Sequence, residues 1–252
     1  MTLGTQPLAA IADVHGNRWA LEAVLEDLER RGVRNVVNLG DSLYGPLDPG
    51  GTARLLRRLS LTSVRGNMDR TILEPDSAVT SPPTLRFVRE ALDAEDMTWL
   101  GRHIPPVTVS DGRVLLCHGT PWRDDVYLAE RVTERGVEIK TPAELASELA
   151  GVAAEVILCG HSHTPRVLRL PDERLVVNPG SVGLPAYTED SGHPHGMEAG
   201  SPHARYCLLD RQEGGWRVEH VAIPYDWERA TREATARDRP DWAAWLRTGR
   251  AR

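Results

Sequence analysis

Cysteine is scarce in this sequence, and the three cysteines present, Cys117, Cys159 and Cys207, are widely spaced. An odd number without a CxxC pair matches neither a disulfide framework nor a zinc site built on thiolates. Each cysteine adjoins apolar residues, so we expect all three to be buried in the protein interior.

Long apolar segments are also missing. No run of apolar residues reaches the length that a membrane-spanning helix requires. The N-terminal sequence MTLGTQPLAA has neither the charged region nor the apolar core of a secretory signal peptide. The sequence therefore predicts a cytoplasmic protein without a membrane partner.

Positive charge is in deficit, since 36 acidic residues outnumber 30 basic ones and the formal net charge is -6 at pH 7. Proteins that bind nucleic acid mainly through its phosphates carry the opposite balance, so no stable nucleic-acid partner is expected. A local positive site is still compatible with this charge, because bound metal cations would create one. The oligomeric state cannot be read from these features.

The chain has 252 residues, of which 40% are hydrophobic, enough for the core of one large domain spanning 1–252. Short β-like runs alternate with helical patterns over the first two-thirds, which predicts an α/β fold. Strands are predicted at 7–12, 35–39, 61–64, 107–110, 114–117 and 156–159, and helices at 19–31, 52–59, 82–102 and 142–150.

The last third of the chain has a different pattern. Two antiparallel strand pairs are predicted, 166–170 with 175–177 and 205–210 with 216–223. Residues 225–252 are rich in tryptophan, arginine and aspartate, and are predicted to form a C-terminal helical extension. Residues 189–203 contain several glycines and the histidines His193, His195 and His203, which predicts a flap loop over a site.

Polar residues flanked by glycine follow five of the predicted strands. They are Asp13 and His15, Asp41, Asn67, His118, and His161 and His163. The carboxyl ends of strands are where ligand sites form in sheets of this kind. Residues two apart in extended chain face the same way, so Asp13 with His15, and His161 with His163, can each offer two ligands to one place.

These side chains supply two carboxylates, one amide oxygen and four imidazoles, too many for one four-coordinate ion. Two ions sharing a carboxylate fit the number better. Mixed nitrogen and oxygen ligands without thiolate favour manganese, iron, zinc, nickel or cobalt over calcium or magnesium.

The ordered blocks DVHGN, GD, GN, HG and GHSH resemble those of the calcineurin-like metallophosphoesterase superfamily. GDSLYGPLDP, GHSHTP and NPGSVGLP are similar to signatures of its small bacterial and archaeal phosphodiesterase-like branch. The resemblance implies two packed mixed β-sheets flanked by helices. It also implies two metal ions, the first held by Asp13, His15 and His163, the second by Asn67, His118 and His161, with Asp41 bridging.

The resemblance implies hydrolysis of a small phosphate ester by two divalent ions, with manganese expected first. A water bridging two such ions becomes hydroxide near neutral pH and can attack phosphorus in line. Asn17, just past the first ligand pair, is the best candidate to donate a hydrogen bond to the phosphate.

The sequence departs from the family at Met68. Many members carry a histidine there that protonates the leaving oxygen, and methionine has no such proton. General acid catalysis contributes about 10²–10⁴-fold, so we expect a preference for phosphodiesters or activated esters over simple monoesters. The sequence identifies no other general acid, although the histidines of 189–203 are candidates.

Two alternatives stay open. One is a non-catalytic, metal-binding scaffold resembling the retromer subunit, which belongs to a similar branch. The other is a phosphomonoesterase or protein phosphatase. Protein phosphatases and dinucleoside-tetraphosphate hydrolases of the family usually carry GDxxDRGP and GNHE, where this chain has GDSLYGP and GNMD, which disfavours both of these activities. The complete set of seven ligands favours a hydrolase, while the substrate itself is not indicated.

Overall fold

The computed structural model describes residues 7–59, 61–75 and 81–251. The N-terminal segment MTLGTQPLAA, which is predicted not to be a signal peptide, lies partly outside the described residues, because residues 1–6 are not among them. Within the described ranges, no helix is both long and apolar enough to cross a membrane.

The strands in chain order are β1 (Leu8–Ile11), β2 (Asn35–Asn38), β3 (Thr62–Ser63), β4 (Val107–Val109), β5 (Val114–Leu116), β6 (Glu130–Thr133), β7 (Gly136–Ile139), β8 (Val156–Leu158), β9 (Arg166–Arg169), β10 (Leu175–Asn178), β11 (Ala186–Glu189), β12 (His195–Glu198), β13 (Ala204–Gln212) and β14 (Gly215–Ile223). The helices are α1 (Arg18–Arg30), α2 (Pro49–Arg57), α3 (Asn67–Leu73), α4 (Pro83–Ala91), α5 (Ala94–Leu100), α6 (Pro142–Glu148), α7 (Trp227–Ala236) and α8 (Pro240–Thr248). Every predicted strand is present, with bounds that differ by a few residues.

Ten of these strands form two five-stranded mixed sheets. The first has the order β14-β13-β1-β2-β3, and the second has the order β4-β5-β8-β10-β9. In the first sheet β1, β2 and β3 are parallel, and β13 pairs antiparallel with β1. In the second sheet β5, β8 and β10 are parallel, with antiparallel strands at both edges. The expected α/β fold with two mixed sheets is confirmed.

The two sheets pack face to face through alternate residues of their strands. One buried cluster joins both inner faces and contains Leu8, Ala10, Val37, Val114, Leu116, Val156, Leu158, Val177 and Leu209. The intervening residues Ala9 and Ile11 pack instead against Val24 and Leu28 of α1. Helix α6 covers the outer face of the second sheet in the same way. All three cysteines are buried and unpaired, as expected.

Helices α7 and α8 occupy the region predicted to be a C-terminal helical extension. Trp242, Trp245 and Leu246 of α8 are buried in a cluster with Leu47 and Leu184, which lie on loops beyond strand ends. The tryptophans therefore serve packing, and α8 lies beside the carboxyl ends of the strands. The single-domain organisation of 1–252 stays a prediction.

The helix predicted at 82–102 is wrong in one respect, because the chain forms two helices, α4 and α5, in that range. Leu92 leaves helical geometry with φ -100 and ψ 132. The side chain of Asp93 then accepts a hydrogen bond from the main-chain N of Asp96, and the side chain of Asp96 accepts one from the main-chain N of Asp93. This reciprocal cap begins a new helix and overrides the continuous helical pattern.

Two hairpins and α3 were not predicted. β6 pairs with β7, and β11 pairs with β12, each as a separate two-stranded sheet. Residues 189–203, predicted to be a loop, instead contain the turn and second strand of the β11–β12 hairpin. Whether this hairpin moves as a flap stays a prediction.

Candidate metal centre

The seven predicted ligands follow strands of both sheets. Asp13, His15, Asp41 and Asn67 follow β1, β2 and β3 of the first sheet, and His118, His161 and His163 follow β5 and β8 of the second. Because the parallel strands of packed sheets end at a common edge, these loops meet. The structure brings all seven side chains to one place, where Asp13, His15, Asp41, His118 and His163 are buried.

Asp13, His15 and His163 form a first cluster, in which one ligand atom from each lies within 4.8 Å of the others. Nδ1 of His15 is 2.8 Å from the carbonyl oxygen of Tyr44, and Nδ1 of His163 is 2.7 Å from that of Leu184. A carbonyl only accepts, so each Nδ1 carries the hydrogen and each Nε2 of the neutral ring presents a lone pair. These two Nε2 atoms are 3.1 Å apart, a repulsive arrangement unless a cation lies beside them.

Asp41, His118 and His161 form a second cluster, again with ligand atoms within 4.8 Å of one another. Nδ1 of His118 donates to the carbonyl oxygen of Leu39 at 2.8 Å, which turns Nε2 towards the cluster. That Nε2 is 3.0 Å from Oδ1 of Asn67 and 3.3 Å from Oδ2 of Asp41. Asn67 is thereby part of this second group of donors.

Asp41 faces both clusters. Its Oδ2 is 3.9 Å from Nε2 of His15 in the first cluster and 3.3 Å from Nε2 of His118 in the second. Its Oδ1 accepts a hydrogen bond from the main-chain N of Met68 at 2.8 Å, which fixes the carboxylate plane. A ligand shared by two ions would need this position.

Backbone strain is concentrated at the same residues. Left-handed φ values occur at Asp13 (55), His15 (51), Asp41 (54), His161 (66) and His163 (56). Such a conformation costs a non-glycine residue on the order of 1–3 kcal/mol and collects at functional sites. Gly66 shows how tightly the loops meet, because a Cβ there would lie 2.1 Å from Oδ1 of Asp41.

The residues present fit divalent transition-metal ions. Oδ2 of Asp13 is buried without a hydrogen-bond partner among the described residues. A buried oxygen without a hydrogen-bond partner is costly in the interior, and a cation would compensate it. Imidazole nitrogen together with carboxylate and amide oxygen is a donor set that manganese, iron, zinc, nickel and cobalt accept.

The pKa values of these groups reflect burial and close packing. Burial raises the pKa of Asp13 to about 8. Burial lowers the pKa of His15 and His163, and that of His161 to about 4. Burial would also lower the pKa of His118, but the neighbouring carboxylates, Asp41 foremost, raise it to about 10. At neutral pH protons therefore occupy the Asp13 and His118 side chains.

Metal binding is expected to release protons at neutral pH and to strengthen as the pH rises through about 8 towards about 10, because metal ligands must be deprotonated. Asp13, with a pKa of about 8, and His118, with a pKa of about 10, both carry protons at pH 7 that a cation must displace. Calorimetric titration with Mn²⁺ in two buffers of different ionisation enthalpy measures the release. An affinity that is unchanged between acidic and neutral pH would contradict this expectation.

A cavity of about 830 Å³ opens onto both clusters. Its wall includes His15, Asp41, Asn67, His161, His163 and Met68 on the side of the strand ends. Its outer wall comes from the two hairpins and their flanks, with Tyr127, Arg131, Lys140, Tyr187, His193 and His195. The cavity is much larger than a phosphate group, so it has room for the organic part of a substrate.

Asn17 is the predicted site residue that the structure places elsewhere. It is fully buried and does not line the cavity. Its Nδ2 donates to the carbonyl oxygen of Gly183 at 2.8 Å and to the hydroxyl of Tyr225 at 3.0 Å. Its Oδ1 accepts from the main-chain N of Ala20 and caps α1. No donor is left for the phosphate contact predicted for Asn17.

The three histidines of 189–203 have different positions. His193 and His195 line the cavity. His203 does not, and its ring lies 5.6 Å from that of Trp227. Of the three, only the first two are placed to meet a substrate.

Sequence reasoning missed three residues around the centre. The ring of Tyr127 lies 4.8 Å from that of His161, and the ring of Tyr187 lies 4.6 Å from that of His163. No sequence motif marks the two tyrosines, since a loop and a hairpin from distant parts of the chain bring them to the centre. Asp69 is fully buried beside Asp41, and its place in the GNMD block was the available clue.

The family model for the calcineurin-like phosphoesterase superfamily domain matches residues 7–197, which include all seven predicted ligands. An uncharacterized protein of Methanocaldococcus jannaschii is 24% identical over 256 residues, covering 93% of this chain and 94% of that protein.

Two crystal structures are similar over almost the whole chain. A metallophosphoesterase from Sphaerobacter thermophilus has a TM-score of 0.74 at 23% identity, covering 98% of this chain and 100% of that one. A hypothetical protein from Pyrococcus horikoshii has a TM-score of 0.71 at 19% identity, covering 96% and 98%. At these identities the likeness supports the fold.

Proposed function

The chain belongs to the calcineurin-like phosphoesterase superfamily, and from this premise we propose that it is a metal-dependent phosphodiesterase. The proposal assigns Asp13, His15 and His163 to one divalent ion. It assigns a second ion to Asn67, His118 and His161, with Asp41 shared between the two. The observation that supports it is the position of the Nε2 atoms of His15 and His163, which lie 3.1 Å apart with their lone pairs facing inwards. The carboxylate of Asp41 lies beside them and faces both clusters.

Two divalent ions lower the pKa of a bound water and neutralise charge on the phosphoryl oxygens. The chain's own contribution is orientation. The Nδ1 hydrogens of His15, His118 and His163 are held by main-chain carbonyl oxygens, which fixes each ring and directs Nε2 inwards. We propose manganese as the first candidate, with iron, zinc, nickel or cobalt as alternatives.

The preference for a diester is supported by Met68 and by the size of the cavity. Met68 lines the wall beside Asp41 and has no proton to donate there. A cavity of about 830 Å³ has room for both organic groups of a diester. We therefore propose a small phosphodiester as the substrate class.

Metal-stripped protein reconstituted with Mn²⁺ is expected to cleave bis-p-nitrophenyl phosphate faster than p-nitrophenyl phosphate. Both release the same phenolate, so the comparison isolates the number of ester groups. Release of p-nitrophenolate gives both rates, with metal-free protein as the control.

Faster cleavage of the monoester would keep the hydrolase but reject the diester preference. No turnover of either substrate with manganese, nickel, zinc or iron would favour the non-catalytic scaffold, and the next measurement would then be of protein partners.

A further inference from the structure

A second cavity, of about 310 Å³, lies between helices α1, α2, α4 and α7. Three arginines line it, Arg54, Arg229 and Arg237, together with the rings of Trp19 and Phe87. Within the described part of the chain, none of its lining residues also lines the cavity above the ligand clusters. It is therefore a separate site, which we call the arginine cavity.

The two acidic residues in the wall of the arginine cavity are already paired. Glu233 forms an ion pair with Arg237 at 2.6 Å. Asp48 forms one at 3.5 Å with Arg18, which lies outside the wall. Neither carboxylate is therefore available to balance the charge of the remaining two arginines.

Arg54 and Arg229 are the arginines without a counter-charge. Among the described residues, neither side chain has an ion pair or a hydrogen bond. This excess of positive charge occurs in a chain whose formal net charge is -6. Like charges that share a cavity repel each other, and an anion bound there would be attracted by both. The charge balance of the cavity therefore points to an anionic ligand.

Aromatic rings hold two of the guanidinium groups in place. The guanidinium carbon of Arg229 lies 5.0 Å from the centre of the Trp19 ring. That of Arg237 lies 4.5 Å from the centre of the Phe87 ring. A guanidinium stacked on an aromatic face keeps the N–H groups of its edge free to donate. Less side-chain entropy is then lost when a ligand binds.

Gly50 brings the third guanidinium to the wall of the cavity. A Cβ at this position would lie 2.7 Å from the carbonyl oxygen of Ala91 and 3.3 Å from Nη1 of Arg54. The absence of a side chain therefore lets α4 approach α2 closely and lets the guanidinium of Arg54 lie against the first turn of α2. A larger residue at position 50 would displace both.

We propose that the arginine cavity binds a small molecule that carries a phosphate monoester group. Such a group has a charge of roughly -1.5 to -2 near neutral pH, which matches two arginines without counter-charges. The forked N–H groups of arginine fit phosphate oxygens in a bidentate manner. Ligand cavities range from about 300 to 1,000 Å³, and this one is at the lower end, which suits a small molecule. The site is independent of the metal centre and of the proposed hydrolase activity.

Indole N–H signals in NMR spectra of the full-length protein test the site, with inorganic phosphate as the probe. The Trp19 signal, identified by its loss in Trp19→Phe, should move in a saturable manner as phosphate is added. Arg54→Gln and Arg229→Gln should each weaken the affinity by about 10-fold or more, because each removes a charge-assisted hydrogen bond. Arg232→Gln changes an exposed arginine of α7 outside the cavity wall and should leave the affinity unchanged. Both arginine variants should keep the wild-type denaturant midpoint, since neither side chain has a partner in the fold.

Two further comparisons decide where the phosphate binds and which ligand chemistry the cavity prefers. Asp41→Asn and treatment with EDTA both act on the metal centre, and the Trp19 titration should be the same with either. Succinate, whose two charges lie on separate carboxylates, should bind at least about 10-fold more weakly than phosphate.

Three results would overturn the proposal. The first is the absence of a saturable movement of the Trp19 signal, or its loss in Asp41→Asn. The second is an affinity for phosphate that both arginine variants share with Arg232→Gln. The third is succinate binding as tightly as phosphate. Absence of metal-dependent turnover would overturn the proposed function alone, because this titration does not depend on catalysis.

Discussion

Replacing Asp41 with asparagine is expected to reduce metal-dependent cleavage of bis-p-nitrophenyl phosphate by about 10³-fold or more. Oδ2 of Asp41 faces one histidine of each cluster, at 3.9 Å from His15 and 3.3 Å from His118. An amide in its place removes the negative charge that both proposed ions would share. A metal ion contributes several kcal/mol of charge stabilisation, and about 4 kcal/mol corresponds to a 10³-fold change in rate.

The asparagine variant keeps the shape of the site, because its amide oxygen can still accept from the main-chain N of Met68. The metal content, measured by elemental analysis, and the turnover should therefore both fall, while the protein stays folded. Asp48→Asn is the matched control, since Asp48 caps α2 and lies outside the ligand clusters. If Asp41→Asn retained full turnover with a normal metal content, Asp41 would not be a shared ligand.

Asp69→Ala is expected to lower the free energy of unfolding by roughly 3–6 kcal/mol, because three buried N–H groups lose their acceptor. The carboxylate of Asp69 is fully buried and accepts from the main-chain N of Asp41 at 2.9 Å, Ser42 at 2.9 Å and Gly66 at 3.1 Å. These groups belong to the loops that carry Asp41 and Asn67. The substitution should therefore weaken metal binding as well as the fold.

Denaturant unfolding of metal-free protein measures the first effect, and calorimetric titration with Mn²⁺ measures the second. Asp48→Ala removes the partly exposed N-cap of α2. It should lower the free energy of unfolding by only about 1 kcal/mol and leave the metal affinity unchanged. A loss of stability in Asp69→Ala no larger than in Asp48→Ala would show that the two loops hold their conformation without this carboxylate.

The metal ligands were predictable because their signal is local. Each follows a short apolar strand and adjoins a glycine, so a few consecutive residues are enough to predict the strand end, the turn and the polar side chain at the site. The structure adds the left-handed backbone at Asp13, Asp41 and His161, which a sequence pattern does not report. The same pattern led to the wrong role for Asn17, since an asparagine after a strand end is also a good helix N-cap.

The outer wall of the cavity was not predictable, because it depends on pairing between distant segments. The β11–β12 hairpin has short, largely polar strands, AYTE and HGME, without regular alternation of apolar residues. Tyr127 meets His195 only because a loop of the second sheet lies against this hairpin. The break between α4 and α5 was readable in principle, since Asp93 and Asp96 have the spacing of a capping box.

The position of β1 in the first sheet has a consequence for synthesis of the protein. β1 lies between β2 and β13, and Leu8 pairs both with Asn35, which follows soon after it, and with Leu209, near the end of the chain. During translation β1, the strand that precedes Asp13, therefore has one open edge until the ribosome has released β13. Pairings of such high contact order form late and slowly, and an unpaired edge is a site of intermolecular association. The edge of β1 is consequently open to intermolecular association until β13 has been made, and a truncation ahead of β13 would leave it open.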